Sequence, residues 1–318
     1  MPAEIAGIGV TCIDHVSIVT RTPDGWEQCG PPLAQGGGLT ATASVAAARL
    51  GASIDLYAAV GDDYHGQMIK RELSSQGVGV DGVRLIPGMR TPTAFIEVDS
   101  KTGDRTIYFS PGRYGPMDES ALGFDPEAVG GVRSLLVDSL FPKTAVAMAR
   151  VARRGGAKVV GDFFFIDGPN EELVSLVDAL ILPEETGIAL AGGPDFPRAL
   201  RIMAERGPEI PAVTVGARGC WYMADGAVYH CPAFPVEVVD TTGCGDSFHG
   251  AFAFALSRGM DAHESVRFSS AIAALKATKL GGRSGLPTFE EVSRFLAERS
   301  DQARAHRVAR GTDSSALE

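Results

Sequence analysis

The chain has 318 residues, 45% hydrophobic and 21% charged, with a formal net charge of −10. That length suits one large α/β domain or two ordinary ones, and that apolar share excludes a largely disordered chain. No basic block is present, which excludes a nucleic-acid partner, and no run approaches the ~20 apolar residues of a membrane span.

Short apolar runs alternate with amphipathic stretches, the pattern of a parallel sheet covered by helices. Ile5–Val10 predicts a first strand, Thr40–Leu50 an Ala-rich helix stopped by Gly51, Ile54–Val60 another strand, and Gly66–Gln76 a helix. Ser134–Val137, Lys158–Gly161, Ala179–Leu182 and Ala212–Val215 predict further buried strands, with helices at Lys143–Arg154, Glu171–Val177 and Asp195–Arg206. A hairpin is expected at Cys220–Cys231 around Asp225-Gly226, then a strand end at Val236–Val239 and helices at Gly245–Arg258, Ala262–Lys279 and Phe289–Arg299. Residues 14–35 and 91–112 break this rhythm. Their alternation predicts a small antiparallel sheet over the edge of the domain, placed as a lid. Residues 1–299 read as one domain and 300–318 as a polar, frayed tail. Cys12, Cys29, Cys220, Cys231 and Cys244 form no C-x-x-C pair, against a zinc site or disulfide framework. Glu4 stands where a signal peptide needs positive charge, so the expected location is cytoplasmic.

The chemistry concentrates in Val238-Val239-Asp240-Thr241-Thr242-Gly243-Cys244-Gly245-Asp246-Ser247. A Gly-rich turn runs straight into an Ala-rich helix, so backbone N–H groups converge at a helix N-terminus. Free donors and the helix dipole make such a turn an anion site. Phosphoryl transfer needs one, because charge spreads over the transferred oxygens. Asp246, in the first turn, is placed to take a proton from an attacking hydroxyl. A capped helix after a strand, with Asp246 as a dipole partner, accounts for the local pattern equally well.

The whole string resembles the second signature of the ribokinase-like (PfkB) sugar kinases, D-T-x-G-A-G-D, with Cys244 in place of a small residue whose backbone N–H does the work. Other elements resemble that family in order: Gly7-x-Gly9 with Asp14; Gln35-Gly36-Gly37-Gly38 before Ala46-Ala47-Ala48-Arg49-Leu50-Gly51; Val60-Gly61-Asp62-Asp63; Thr214-Val215-Gly216-x-x-Gly219; and Gly281-Gly282-Arg283-Ser284-Gly285-Leu286-Pro287. The C-terminal half is most similar to the sulfofructose kinase branch.

The resemblance implies a three-layer α/β/α sandwich with a mostly parallel sheet and a β-sheet lid. It also implies ATP-dependent phosphorylation of a hydroxymethyl group on a small sugar. Asp246 would be the base and Gly243, Cys244 and Gly245 the anion hole. Asp14, Gly36, Gly37, Gly38 and Thr42 would hold sugar, and Thr214, Gly216, Gly219 and Gly282 the nucleotide. The family's metal-organising N-x-x-E is degenerate here, Pro183-Glu184-Glu185-Thr186, leaving Glu184 for Mg²⁺, while a monovalent cation such as K⁺ is implied near Asp240 and Thr242. Thr42 stands where the family carries Asn. Residues 13–36 hold no Lys and only Arg21, so a neutral sugar is expected, with Trp26 a lid contact and Arg105 and Arg113 the remaining anion partners. His249 and Phe163-Phe164-Phe165 read as packing. A homodimer through the lid is implied; a nucleoside kinase or a silent sugar-sensing regulator are the rival functions.

Overall fold

The computed structural model describes residues 3–22, 27–112 and 119–308. Eleven strands form the main sheet. From one edge the order is His306–Arg307, Ala227–Cys231, Cys220–Ala224, Ile210–Thr214, Ala179–Pro183, Lys158–Asp162, Ser134–Asp138, Ile5–Ile8, Ile54–Gly61 and Val78–Gly79, with Val83–Ile86 also pairing Ile54–Gly61. Every pairing from Ile210–Thr214 to the Val78 edge is parallel, and the hairpin side is antiparallel. Parallel strands are covered on both faces, which is why Ile5–Ile8 and Ser134–Asp138 are buried throughout. One apolar layer packs the sheet against Leu39–Arg49, Cys244–Ser257 and Ala262–Ala277 through residues such as Val45, Phe252 and Val266. The other packs it against Pro142–Arg154 and Phe196–Ala204 through Met148 and Leu200. The result is the expected α/β/α sandwich. Each large buried side chain contributes about 1.5–3 kcal/mol of transfer free energy.

The small sheet joins Cys12–Arg21, Glu27–Cys29, Leu33–Gly37, Thr93–Asp99 and Arg105–Ser110. Its centre corrects the all-antiparallel expectation. Cys12–Arg21 and Thr93–Asp99 run parallel, in register from Ile13↔Thr93 to Val19↔Asp99. The chain reaches Thr93 only after passing through the main sheet, so no hairpin forces antiparallel entry. Val16, Ala94, Ile96 and Val98 are buried on one face, against Leu33 and Leu280.

Three further expectations change. Val236–Val239 has no ladder partner among the described residues, although the Val239 N–H donates to the Ala277 carbonyl at 2.8 Å. Glu184–Ala191 is an unexpected helix. Part of the segment after Ser300 is built into the fold: His306–Arg307 pairs Tyr229 and His230, and Ala303 is buried. Among the described residues no helix is long and apolar enough to cross a membrane.

Candidate active site

The strand ends place acids at one rim. Asp138 and Asp162 are register partners at the carboxyl ends of adjacent parallel strands, the position where open α/β sheets bind ligands. Facing them, the helix Cys244–Ser257 starts at Gly243, whose φ of 76° suits glycine. A Cβ there would meet the Gly282 carbonyl oxygen at 2.7 Å, so this turn lies flat on the Gly281–Gly285 loop. The Cys244 N–H closes the turn onto the Thr241 carbonyl at 3.2 Å, and the Ser247 N–H bonds Gly243. Among the described residues, the N–H groups of Gly243, Gly245 and Asp246 have no protein acceptor. The donor set therefore shifts: Cys244 shapes the hole and its two glycine neighbours, with Asp246, offer the free donors. Space around Gly245 is open.

Burial first, and then the Asp162 carboxylate, push the Asp246 carboxyl up to about 7, while His249 and Arg105 pull the other way. The His249 ring is buried, with Nδ1 2.8 Å from the Gly245 carbonyl oxygen and Nε2 3.1 Å from that of Ile181. Its Nδ1 also lies 3.4 Å from Asp162 Oδ2. His249 thus packs as expected, but between the two acids. Phe163 is core, whereas Phe164 and Phe165 are exposed, contrary to a packing role for all three. The lid reaches the same turn. Arg105 Nη1 donates to Thr241 Oγ1 at 3.1 Å, and Gly103 O accepts from both the N–H and the hydroxyl of Thr241 at 3.2 Å.

On the sugar side, Asp14 Oδ1 accepts from the Cys12 thiol at 3.2 Å, and burial raises the Asp14 carboxyl to about 6. A Cβ on Gly37 would lie 2.1 Å from Asp14 Oδ2, and one on Gly36 2.2 Å from Arg283 Nη1. Those neighbours are side-chain ends, whereas a Cβ on Gly38, with φ of 94°, would meet the Val10 carbonyl oxygen at 2.6 Å, so the backbone demands glycine there. Arg283, from the Gly281–Pro287 loop, also reaches this side. Its Nε donates to Thr42 Oγ1 at 3.3 Å, its Nη2 to Gly37 O at 3.0 Å, and its Nη1 to Glu72 Oε1 at 3.1 Å. Glu72 in turn accepts from the Gly36 N–H at 2.6 Å. Thr42 is buried and engaged by Arg283. Asp138 accepts from the Val10 N–H and the Thr40 hydroxyl, both at 2.7 Å, and fixes the start of this half.

On the nucleotide side, Thr214 ends a strand and its hydroxyl donates to the Leu182 carbonyl at 3.5 Å. Gly216 (φ 58°) opens a short turn with free space beside it, and Gly219 (φ 98°) closes it, with Val215 N–H on Gly219 O at 2.8 Å. Arg218 in this turn is ion-paired to Glu184, so the acid expected at a metal is tied to the nucleotide turn. Asp240 is fully buried. Its Oδ1 accepts from the Thr242 N–H and its Oδ2 from the Gly281 N–H, each at 2.7 Å. Beside the position expected for a monovalent ion, the Asp240 carbonyl accepts from Lys276 Nζ at 2.7 Å. A cavity of about 600 Å³ between Arg49, Val236, Lys279 and Arg294 lies behind the Gly281–Pro287 loop, and Asp246 does not line it.

Residues 3–289 match the pfkB family of carbohydrate kinases. The chain belongs to that family. The ribokinase of Haemophilus influenzae is 30% identical over 267 residues, covering 82% of this chain and 87% of its own. The nucleoside kinase of Methanothermobacter thermautotrophicus is 27% identical over 312 residues, covering 93% and 96%. The crystal structure of Thermotoga maritima ribokinase superposes with a TM-score of 0.78 at 30% identity, covering 93% of this chain and 99% of that one.

Within this pfkB kinase, Glu72, Asp138, Asp162 and Lys276 join the candidate site without having been singled out from the sequence. Asp138 and Asp162 carried a usable signal, each being an acid at the end of a buried strand. Glu72, Arg283 and Lys276 carried none beyond their charge, because their partners lie far away in the chain. Trp26 and Arg113 lie outside the described residues.

Proposed function

We propose that this kinase transfers the γ-phosphate of ATP to a hydroxymethyl group of a small neutral carbohydrate, with Asp246 as general base. One observation carries the reading. Asp246 sits in the first turn of the helix Cys244–Ser257, where the N–H groups of Gly243, Gly245 and Asp246 have no protein acceptor among the described residues. Asp14, Thr42 and the Gly36–Gly38 backbone hold the sugar hydroxyls. Thr214, Gly216, Gly219 and Gly282 flank the nucleotide, and the turn at Gly243–Asp246 receives the transferred phosphate. Asp246 then takes the proton of the attacking hydroxyl as the donors stabilise charge on the phosphate. Arg105, hydrogen-bonded to Thr241, adds a positive charge on the phosphate side and seals the cleft against water. Mg²⁺ brought with ATP would supply charge neutralisation at the phosphates, and Glu184, ion-paired to Arg218 of the nucleotide turn, is the carboxylate that would help to hold it.

Among the described residues, the cations at the site favour a neutral acceptor. Arg283 is already committed to Thr42, Gly37 and Glu72, and Arg105 stands on the phosphate side, so neither faces a substrate anion. The test is ADP release from Mg-ATP across ketohexoses, pentoses, sugar acids, sulfosugars and nucleosides. A neutral sugar should give turnover that Asp246→Asn lowers by about 10²–10⁴-fold without loss of fold. Near-wild-type turnover in that variant would remove the base assignment. Preference for a nucleoside would move the acceptor toward that of the Methanothermobacter relative. Sugar binding with no turnover on any compound would make the protein a silent sensor.

A further inference from the structure

Lys276 is the only lysine among the described residues whose side chain is wholly shielded from solvent, in the last turn of the Ala-rich helix Ala262–Ala277. A buried ammonium needs its three donors engaged and an opposite charge nearby. Its Nζ donates to the Asp240 carbonyl at 2.7 Å and to the Lys279 carbonyl at 3.4 Å, and lies 4.0 Å from Asp240 Oδ2. The Asp240 carboxylate, equally buried, faces the other way with both oxygens in use. One holds Thr242 at the head of the anion turn and the other holds Gly281 in the neighbouring loop. The charge at Lys276 is therefore the counter-charge of the group that fixes the phosphate site to the nucleotide loop. Carbonyl oxygens gathered around a carboxylate are also what a hard monovalent ion would take. An ammonium and a metal ion cannot share one carbonyl, because like charges so close in a low-dielectric interior repel strongly.

We infer that the Lys276 ammonium is a built-in replacement for a bound monovalent cation, so that nucleotide binding and turnover in this kinase need no added K⁺. A tethered ammonium is present at full occupancy whatever the salt. Burial pulls the Lys276 amine below its ordinary value, and the charges of Cys244, Asp240 and Asp246 oppose that pull. The inference rests on Gly243–Asp246 being the phosphate site.

The experiment measures binding of a non-hydrolysable ATP analogue by calorimetry, and ADP release, in KCl, NaCl and tetramethylammonium chloride at equal ionic strength. Wild-type affinity and turnover should agree within about twofold across the three salts. A roughly tenfold gain specific to K⁺ would overturn the inference while leaving the phosphate site standing. No analogue binding in any salt would overturn both. Lys276→Ala removes the ammonium and leaves room for an ion; in tetramethylammonium it should lose roughly tenfold or more in analogue affinity, and K⁺ should restore part of it. Lys276→Met, which fills the space without charge, should lose affinity and gain nothing from K⁺. Wild-type affinity in Lys276→Ala across all salts would also overturn the inference. Circular dichroism melts check both variants, and if neither folds the wild-type salt series decides alone.

Discussion

At the residue scale, the base role proposed for Asp246 meets an opposing environment. As a base it must be ionised, yet its site favours the protonated form, by burial and by the Asp162 carboxylate. A carboxyl whose folded-state pKa lies above its unfolded value holds its proton more tightly in the folded state. Its stabilising contribution is full below the unfolded value and is lost as pH climbs through the folded one. For Asp246 that window runs from 3.8 to about 7. At neutral pH the group therefore weakens the fold that it serves, so Asp246→Asn should melt at or above the wild-type temperature while turnover collapses. The same raised value sets the rate profile: kcat/KM should fall on the acid side near pH 7 rather than in the ordinary carboxylate range. His249 lowers the Asp246 value by its position between the acids. His249→Gln should move that acid limb to higher pH, and an unmoved limb would reduce His249 to packing.

At the scale of elements, what the sequence disclosed was what the backbone demands. Gly38 and Gly243 follow that demand: each has a positive φ, and a Cβ would meet a backbone oxygen at 2.6 and 2.7 Å, so glycine suits both. The central strands were legible because burial on both faces leaves continuous apolar runs. The parallel heart of the lid was not, since alternation fixes the faces of a strand and says nothing of its partner's direction. Nor was Arg283, whose three partners come from three separate segments. That fork clamps the Gly36–Gly37 backbone to the helix Tyr64–Ser75 and to Thr42. A lysine offers one point charge where the guanidinium offers a planar fork. Arg283→Lys should therefore raise the KM for sugar by roughly tenfold, with a smaller change in kcat, because it loosens the walls of the sugar pocket and leaves Asp246 in place. An unchanged KM would make the clamp a matter of stability alone.

The molecule as a whole is a rigid sandwich with a sheet bent over its active rim, and the two faces of that sheet meet different surroundings. One face carries Asp14, Val16 and Ile96 toward the site, and at its far strand Gly103 and Arg105 bond Thr241. The other leaves Phe95 and Tyr108, register partners, 55% and 54% exposed, with His15 stacked on Phe95 at 5.3 Å and His65 edge-on to His15. Tyr64, 73% exposed, extends the patch. Paired aromatics on an open sheet face favour a flat, apolar, self-complementary partner, and a second copy of the same lid supplies one. On that reading the wild-type chain elutes as a dimer, and Phe95→Glu with Tyr108→Glu elutes as a monomer with its circular dichroism unchanged. Because the same strands carry Asp14 and Arg105 on the reverse face, freeing the lid should also raise the KM for sugar more than it lowers kcat. A wild-type monomer would assign the aromatic patch to some other surface, and a variant that stays dimeric would move the interface off the lid.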